Sequence, residues 1–303
     1  MATVRKTLKR VAGKAPLARQ LLTERTDLRQ AVEILTIEKQ QLIARLAEKR
    51  SLISYAFLQG NGIEIGALHM PLPLPPDATV QYVDYLSVEG LRKHYPELRD
   101  LPLVDVAIVD NGERLTKVKN GSLDFIVANH FLEHCQDPIG TLVTFYKKLR
   151  SQGVIYMCIP NKVYTFDMDR PVTTYEHLLQ EHKQYPSKQL YLEHCREIAK
   201  HTEQLKTEAE IEKCIQCLVD TKYSIHYHVW NQAALGDFFY RLATDFSLNL
   251  NLDAMIKNQH EIICVLRKYP ASEEKSKIAA IRKTYFSDLP PIWERLGVDA
   301  SSV

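Results

Sequence analysis

Residues 61–67 read NGIEIGA, a short apolar strand that ends in a glutamate and then a glycine. In doubly wound α/β sheets, ligands bind at the carboxyl ends of the strands, where the chain turns tightly. A glycine at that point permits the turn and lets the backbone approach a ligand closely. The stretch is a weak signal by itself, because many strands end in this way, so its meaning depends on the strands that follow.

Carboxylates close two further predicted strands at regular intervals. Asp84 ends a strand predicted at residues 80–85, and Asp110 follows a strand predicted at residues 104–109. The other predicted strands are at residues 62–65, 125–129, 154–159, 246–252 and 261–266. Helices are predicted at residues 88–95, 138–149 and 231–243, and residues 189–218 are predicted to be largely helical. Strands that alternate with helices predict a parallel sheet covered on both faces.

The fourth predicted strand runs through LDFIVANHFLEH at residues 123–134, and Pro138 follows shortly. Together with the acidic strand ends, this sequence resembles the class I S-adenosylmethionine-dependent methyltransferases over residues 56–268. It is most similar to the subgroup with a Leu-Glu-His sequence after strand four, and it also resembles polysaccharide-associated methyltransferases. The resemblance implies a doubly wound, seven-stranded, mostly parallel sheet whose last strand is antiparallel.

The same resemblance implies S-adenosylmethionine as the cofactor. The end of strand one would lie beside its methionine part, and the end of strand four would border the sulfonium and the substrate. A carboxylate after strand two can accept hydrogen bonds from both ribose hydroxyls, and one after strand three can accept from the adenine amine. The predicted cofactor-binding residues are Glu64, Gly66, Asp84, Asp110, Asn129 and His130.

The first loop departs from the family pattern. Residues 66–73 read GALHMPLP, with one glycine where the family has two or three. Proline has no N–H donor, so fewer backbone groups can face the cofactor carboxylate. This loop favours an alternative hypothesis, in which the chain is a non-catalytic assembly module with the methyltransferase fold and weakened cofactor binding.

Residues 160–228 interrupt the alternation, and we predict that they form the acceptor site and a partial lid. Connections this long usually carry function. His177 and Asp169 are the candidate catalytic residues, because methyl transfer to a hydroxyl needs a base. The mixture of rings and charges resembles a polar small-molecule site, and the candidate substrate-binding residues are Tyr164, Arg170, His226 and His228.

No metal site is predicted. His226 and His228 would share one face of a strand, but no third ligand is evident from the sequence. Cys214 and Cys217 form an isolated C-x-x-C in a helical stretch without a second pair. Six scattered cysteines and no apolar run of ~18 residues predict a cytoplasmic protein with reduced thiols.

The amino-terminal arm differs in charge from the rest of the chain. Residues 1–50 contain 12 Lys/Arg against 5 Asp/Glu, and the remainder is mildly acidic, which disfavours nucleic acid as a partner. Leucines recur every seven residues from Leu21 to Leu42. We therefore predict a coiled-coil-like arm at residues 1–55, with a homodimer contact through residues 21–53 and an anionic-surface contact through residues 1–20. Residues 269–303 are predicted to be a polar helical tail.

These observations predict an S-adenosylmethionine-dependent methyltransferase that acts on a small molecule, a glycan or a nucleotide-sugar. O-methylation in polysaccharide biosynthesis is the preferred reaction. The mechanism would be in-line attack by an acceptor oxygen, with the protein supplying alignment and a base.

Overall fold

The computed structural model describes residues 28, 29, 31, 32, 34–36, 49–221 and 223–270. The predicted anionic-surface segment, residues 1–20, lies outside the described residues. So do the tail from residue 271 and most of the predicted dimerisation segment.

Seven strands form one sheet in the described part of the chain. They are β1 (Gly60–Ile65), β2 (Ala78–Asp84), β3 (Val106–Val109), β4 (Leu123–Val127), β5 (Leu149–Pro160), β6 (Leu250–Asn258) and β7 (Glu261–Lys268). Their order across the sheet is β3-β2-β1-β4-β5-β7-β6. The pairs from β3 to β5 are parallel, and β7 is antiparallel to both of its neighbours. The predicted seven-stranded, mostly parallel sheet with an antiparallel closing strand is confirmed.

Helices accompany the sheet, and several begin at side-chain caps. They are α1 (Val88–His94), α2 (Pro138–Lys148), α3 (Tyr175–Gln184), α4 (Lys188–His201), α5 (Glu208–Thr221) and α6 (Gln232–Asp245). Asp137 caps α2 and Asn231 caps α6, each accepting a hydrogen bond from a backbone N–H of the first turn. Residues 50–57 are also helical.

β5 shows why the strands read as continuous apolar runs. Ile155, Met157 and Ile159 belong to one hydrophobic cluster, which includes buried residues of α2 and α6. Tyr156 and Cys158 alternate with them and belong to a second cluster on the other face. Because side chains of a strand alternate between two buried faces, almost every position must be apolar.

The stretch predicted to be largely helical, residues 189–218, consists of two helices, α4 and α5, with a break at residues 202–207. The second begins at a capping box: the Glu210 carboxylate accepts from the Thr207 N–H, and the Thr207 hydroxyl accepts from the Glu210 N–H. This reciprocal pair satisfies donors that a helix start leaves unpaired. The Thr-x-x-Glu spacing at residues 207–210 is visible in the sequence and indicates where the second helix begins.

The predicted strand at residues 246–252 is displaced in the structure. Phe246 caps the C-terminus of α6, and Ser247 has a positive φ of 52°, so the chain turns before β6 begins at Leu250. The apolar residues at 246 and 248 pack against the core from this turn. An apolar run of this length does not by itself distinguish a strand from a packed turn.

The chain divides into two compact units between Lys49 and Arg50, several residues before the predicted arm boundary at 55. In the second unit, Leu58 is fully buried, and Ile53 and Phe57 pack against the same cluster as Leu58. The Ser54 hydroxyl donates to the carbonyl of Pro73. Residues 50–58 therefore contribute to the core of the methyltransferase-like unit.

We expect that deletion of residues 1–49 leaves a cooperatively folding protein, whereas deletion of residues 1–58 does not. The longer deletion removes Leu58 and also Arg50, whose guanidinium pairs with the buried Glu261. Loss of one partner of a buried ion pair costs about 3–5 kcal/mol. Urea unfolding of both truncations tests this, and a non-cooperative transition for the shorter deletion would contradict it.

The structure also bears on membrane-spanning helices and on the state of the cysteines. Of the helices that the structure describes, none has both the length and the apolar character needed to cross a bilayer. All six cysteines are free thiols, and four of them are buried.

Candidate functional site

A cavity of about 260 Å³ opens at the carboxyl ends of β1, β2 and β4. β1 lies between β2 and β4, so this is where the strand order reverses. Ligands of doubly wound sheets bind in the crevice at that position. The ionisable side chains in its lining are Asp84, Tyr85, Tyr95, His130 and His134.

Gly66 lines the cavity directly after β1. Its φ is +67°, a conformation that side-chain-bearing residues rarely adopt, while a Cβ added there would meet nothing within 4 Å. Its N–H donates to the carbonyl of Val83 at 3.0 Å. The backbone conformation, rather than lack of space, therefore requires glycine here.

Asp84 ends β2 with its side chain at the same cavity. The residue is 7% exposed, and its Oδ1 accepts from the Tyr85 N–H at 2.7 Å. Burial raises the pKa of Asp84, although backbone hydrogen bonds from Tyr85 and Leu86 oppose the shift. A carboxylate held against this desolvation at a cavity is suited to a ligand that offers hydroxyl donors.

Asp110 follows β3, but its carboxylate is hydrogen-bonded to residues of the loop that it begins. Its oxygens accept from the Asn111 N–H, the Thr116 hydroxyl and the Lys117 N–H, at 2.7–2.9 Å. Partial burial alone would raise the pKa of Asp110, but these hydrogen bonds outweigh it and lower the pKa. Gly112, two residues further on, lines the cavity.

Glu64 is buried in β1 and holds the proline-containing loop. Both of its carboxylate oxygens are within reach of the Leu72 N–H, at 3.0 and 3.1 Å. Burial raises the pKa of Glu64 to about 7, despite this hydrogen bond and the nearby positive charge of Arg50. Glu64 thus lies between the predicted cofactor site and the loop that replaces the usual glycine-rich one.

We expect Glu64→Gln to flatten the dependence of stability on pH. A folded-state pKa near 7, above the unfolded value of 4.5, means that stability falls as pH rises from about 4.5 through 7. The ionised side chain then costs about 3 kcal/mol at pH 8, which the neutral amide avoids. Urea unfolding at pH 5 and pH 8 measures the difference, with the exposed Glu97→Gln as control. Parallel profiles for wild type and Glu64→Gln would contradict the assignment.

His130 lies at the cavity, and its side chain is between two carboxylates. Its Nε2 is 2.9 Å from an oxygen of the buried Glu261, and its Nδ1 is 3.5 Å from Glu133. Burial alone would lower the pKa of His130, but these two carboxylates outweigh it and raise the pKa to about 9. The neighbouring Asn129 accepts from the Cys158 N–H through its side-chain oxygen. The two carboxylates therefore favour the protonated form of His130.

His134 lines this cavity and also a second one that adjoins it. Its pKa is shifted in the opposite direction from that of His130. Its Nδ1 is 2.8 Å from the carbonyl of Ile225, which can only accept, so Nδ1 carries the proton and Nε2 keeps its lone pair. Burial lowers the pKa of His134, and the neighbouring Glu133 only partly opposes this. The neutral form at physiological pH is the form that accepts a proton.

A second cavity, of about 550 Å³, adjoins the first and shares Tyr85, Tyr95, His134 and Ser224 with it. It is rich in aromatic rings, with five tyrosines in its lining: Tyr85, Tyr95, Tyr191, Tyr223 and Tyr227. Gln136 also lines it and donates to the hydroxyl of Tyr227 at 3.1 Å. Among the described residues of its lining, none is Lys, Arg, Asp or Glu.

The insertion returns to the sheet at the Leu-Glu-His turn. The Tyr227 N–H donates to the carbonyl of Glu133 at 2.8 Å, next to the bond between His134 and Ile225. Arg170 is 2% exposed and donates to the carbonyls of His226 and Tyr227. The structure therefore brings the two ends of the insertion together through Arg170, whose donors are used within the protein.

Other predicted site residues lie away from both cavity linings. Tyr164 is 51% exposed, with the ammonium of Lys257 4.1 Å from its ring. Asp169 is exposed and pairs with Gln204 at 3.5 Å. The buried carboxylate of this segment is instead Asp167, 2.6 Å from Nδ1 of His226.

His177 and His228 lie together, with ring centroids 6.2 Å apart. Both contact Glu181, and neither contributes to the two cavities described above. The insertion thus separates its histidines into two groups. His226 lies beside His134, with ring centroids 4.7 Å apart, and His177 and His228 belong to a cluster with Glu181 and His194.

Sequence reasoning missed His134, Asp167 and the tyrosines of the second cavity as functional candidates. For His134 a signal was available, because the Leu-Glu-His turn directly follows the strand end that borders the ligand crevice. The tyrosines come from five separate places between residues 85 and 227. No local pattern indicates that such distant residues share one cavity.

A profile of the methyltransferase domain family matches residues 40–207, which is more than half of the chain. No curated protein matches the sequence.

Solved structures with a similar fold are distant from this chain. One, from Rhodobacter sphaeroides and described as a zinc-dependent alcohol dehydrogenase, is 12% identical, with 73% of this chain and 90% of that chain covered and a TM-score of 0.45. An S-adenosylmethionine-dependent methyltransferase from Thermotoga maritima is 12% identical, with coverage of 78% and 96% and a TM-score of 0.41. The N-methyltransferase NodS from Bradyrhizobium japonicum, in complex with S-adenosyl-L-homocysteine, is 10% identical, with coverage of 76% and 87% and a TM-score of 0.37. At these identities and scores, the likenesses add nothing to the family match.

Proposed function

The chain belongs to the methyltransferase domain family as an S-adenosylmethionine-dependent enzyme, and we propose that it methylates a hydroxyl group of an uncharged, hydroxyl-rich acceptor such as a glycan. The observation that carries this proposal is the tyrosine-lined cavity, which meets the cavity at the strand ends and shares His134 with it.

The residues at the strand ends fit the cofactor. Asp84 offers a desolvated carboxylate for the two ribose hydroxyls, and Gly66 keeps the backbone open at the end of β1. The cofactor supplies an electrophilic methyl group on a sulfonium. Asp110 is a weaker candidate for the adenine amine, because its carboxylate is used within its own loop.

His134 is the residue best suited to take the proton of the acceptor hydroxyl. The Ile225 carbonyl fixes its tautomer, and burial keeps it neutral. We therefore propose His134 as the base, in place of the sequence-based candidates His177 and Asp169. Alignment of the hydroxyl with the methyl group would supply much of the remaining rate enhancement.

The described lining of the second cavity favours an uncharged acceptor. Sugar rings stack on aromatic side chains, while tyrosine hydroxyls, the Gln136 amide and imidazoles bind hydroxyl groups. A nucleotide-sugar carries a diphosphate, which proteins usually bind with Arg or Lys. The proposal therefore prefers a neutral glycan to a nucleotide-sugar, and it assigns the enzyme to polysaccharide biosynthesis in the cytoplasm.

The test has two stages, both on the full-length protein. Calorimetric titration with S-adenosylmethionine and S-adenosylhomocysteine comes first, and a lack of binding would favour the alternative of a non-catalytic module. Transfer of a labelled methyl group is then measured to neutral oligosaccharides and, in parallel, to nucleotide-sugars. We expect transfer to the neutral acceptors, and transfer confined to nucleotide-sugars would contradict the proposed acceptor class.

A further inference from the structure

Three histidines surround one carboxylate in the insertion, apart from the two cavities. His177 and Glu181 lie one turn apart on α3, His194 lies on α4, and His228 lies on the returning segment. The rings of His177, His194 and His228 are steeply inclined to one another, with interplanar angles of 72–87° and centroid separations of 5.3–6.2 Å. Their arrangement points nitrogen atoms at the carboxylate from three directions.

The ligand-type atoms of the four residues lie close enough together to surround one ion. Nε2 of His177 and Nε2 of His194 lie 2.9 and 2.7 Å from Oε1 of Glu181, and Nε2 of His228 lies 3.5 Å from Oε2. One such atom from each of the four residues lies within 4.8 Å of all the others. Ligands about 2.0–2.1 Å from a tetrahedral zinc ion lie about 3.3 Å apart, so the four side chains would have to move closer together on binding.

Hydrogen bonds within the protein satisfy only one oxygen of Glu181 and leave other buried polar atoms of the cluster without partners. His228 is 0% exposed, and neither of its ring nitrogens has a hydrogen-bond partner. Oε2 of Glu181 and Nδ1 of His194 are also buried without partners. Buried polar atoms without partners cost about 1–3 kcal/mol each, so their accumulation at one point indicates a ligand.

We propose that His177, Glu181, His194 and His228 bind a structural Zn²⁺ ion. Three imidazoles and one carboxylate suit zinc, and four protein ligands close a tetrahedral shell without an open catalytic position. The ion would join α3 and α4 to the segment that carries Tyr227, and so it would hold one wall of the tyrosine-lined cavity.

Metal analysis and optical spectroscopy of the full-length protein test this proposal. After chelator treatment and addition of Zn²⁺, we expect stoichiometric zinc after desalting and a higher melting temperature with increasing free zinc. Co²⁺ added in place of zinc should give the intense visible bands of tetrahedral coordination, and this measurement needs no variant. Wild-type protein that takes up no zinc, or that holds Ni²⁺ or Cu²⁺ with an octahedral or square-planar spectrum and excludes zinc, would overturn the assignment.

His177→Ala is the informative variant, because its side chain is about half exposed and its loss leaves the buried ligands in place. We expect zinc affinity, measured by competition with a chelator, to fall by at least roughly 10²-fold, since loss of outer-shell partners alone costs 10–100-fold. His201→Ala, an exposed histidine at the end of α4, is the matched control and should retain wild-type affinity. Equal affinity in wild type and His177→Ala would overturn the ligand set. None of these measurements depends on methyl transfer, so a failed zinc assignment and a failed function assignment are distinguishable.

Discussion

Replacement of His134 by glutamine should lower kcat for methyl transfer by roughly 10²–10⁴-fold, with little change in the Kd for S-adenosylmethionine. Glutamine is close to histidine in size, is polar and carries an amide N–H donor. It has no basic nitrogen, and the acceptor hydroxyl then loses its proton acceptor. Steady-state kinetics with a methylated-product readout, together with calorimetry, separates the two parameters.

The pH dependence of turnover provides a second test of the same variant. Burial lowers the pKa of His134 below 6.5, and a base acts in its unprotonated form, so wild-type turnover should decline only as pH falls below that value. The acid limb should disappear in His134→Gln. If the variant kept the same decline of turnover at low pH, a group other than His134 would be responsible for it.

Asp169→Asn is the matched control for the base assignment. Asp169 is exposed and bonded only weakly to Gln204, so we expect near-normal kcat. If Asp169→Asn lost as much turnover as His134→Gln is expected to lose, catalysis would belong to the insertion, as the sequence predicts.

Asp84→Asn should weaken S-adenosylmethionine binding by at least ~10²-fold. Two charge-assisted hydrogen bonds to ribose hydroxyls are worth ~1.5–3 kcal/mol each, and the neutral amide cannot accept through both of its terminal atoms. The unliganded protein should not lose stability, because burial raises the pKa of Asp84 and its ionised form is costly in the folded state. Calorimetric Kd values and urea unfolding measure the two effects.

Asp110→Asn distinguishes a cofactor contact from a loop contact. The Asp110 carboxylate accepts from Thr116 and Lys117, so its substitution should destabilise the loop and change the Kd by less than roughly tenfold. An unchanged Kd in Asp84→Asn would contradict the ribose assignment. A large loss in Asp110→Asn would instead support the adenine contact that the family resemblance implies.

The sheet was predictable because its signals are local. A strand buried on both faces must be apolar at almost every position, as residues 154–160 of β5 are. A strand end at a ligand crevice shows a glycine or a carboxylate, as Gly66 and Asp84 do at the candidate site. The error at residues 246–252 has the same origin, since a short apolar run fits both a strand and a packed turn. The sequence by itself therefore determined the fold class, the order of alternation and the edge of the sheet that carries the candidate site.

The chemistry at that edge was decided only by tertiary contacts. The tautomer of His134 depends on Ile225, which is 91 residues away, and the charge of His130 depends on Glu261, which is 131 residues away. His177 was predicted to be a base, but its neighbours are Glu181, His194 and His228, a set of ligand spacings that no short motif contains. Protonation state and metal affinity depend on burial and on the distance to charged partners. Chain folding sets these quantities between residues far apart in sequence, so the sequence identified which residue types were present, and the tertiary structure decided what each of them can do.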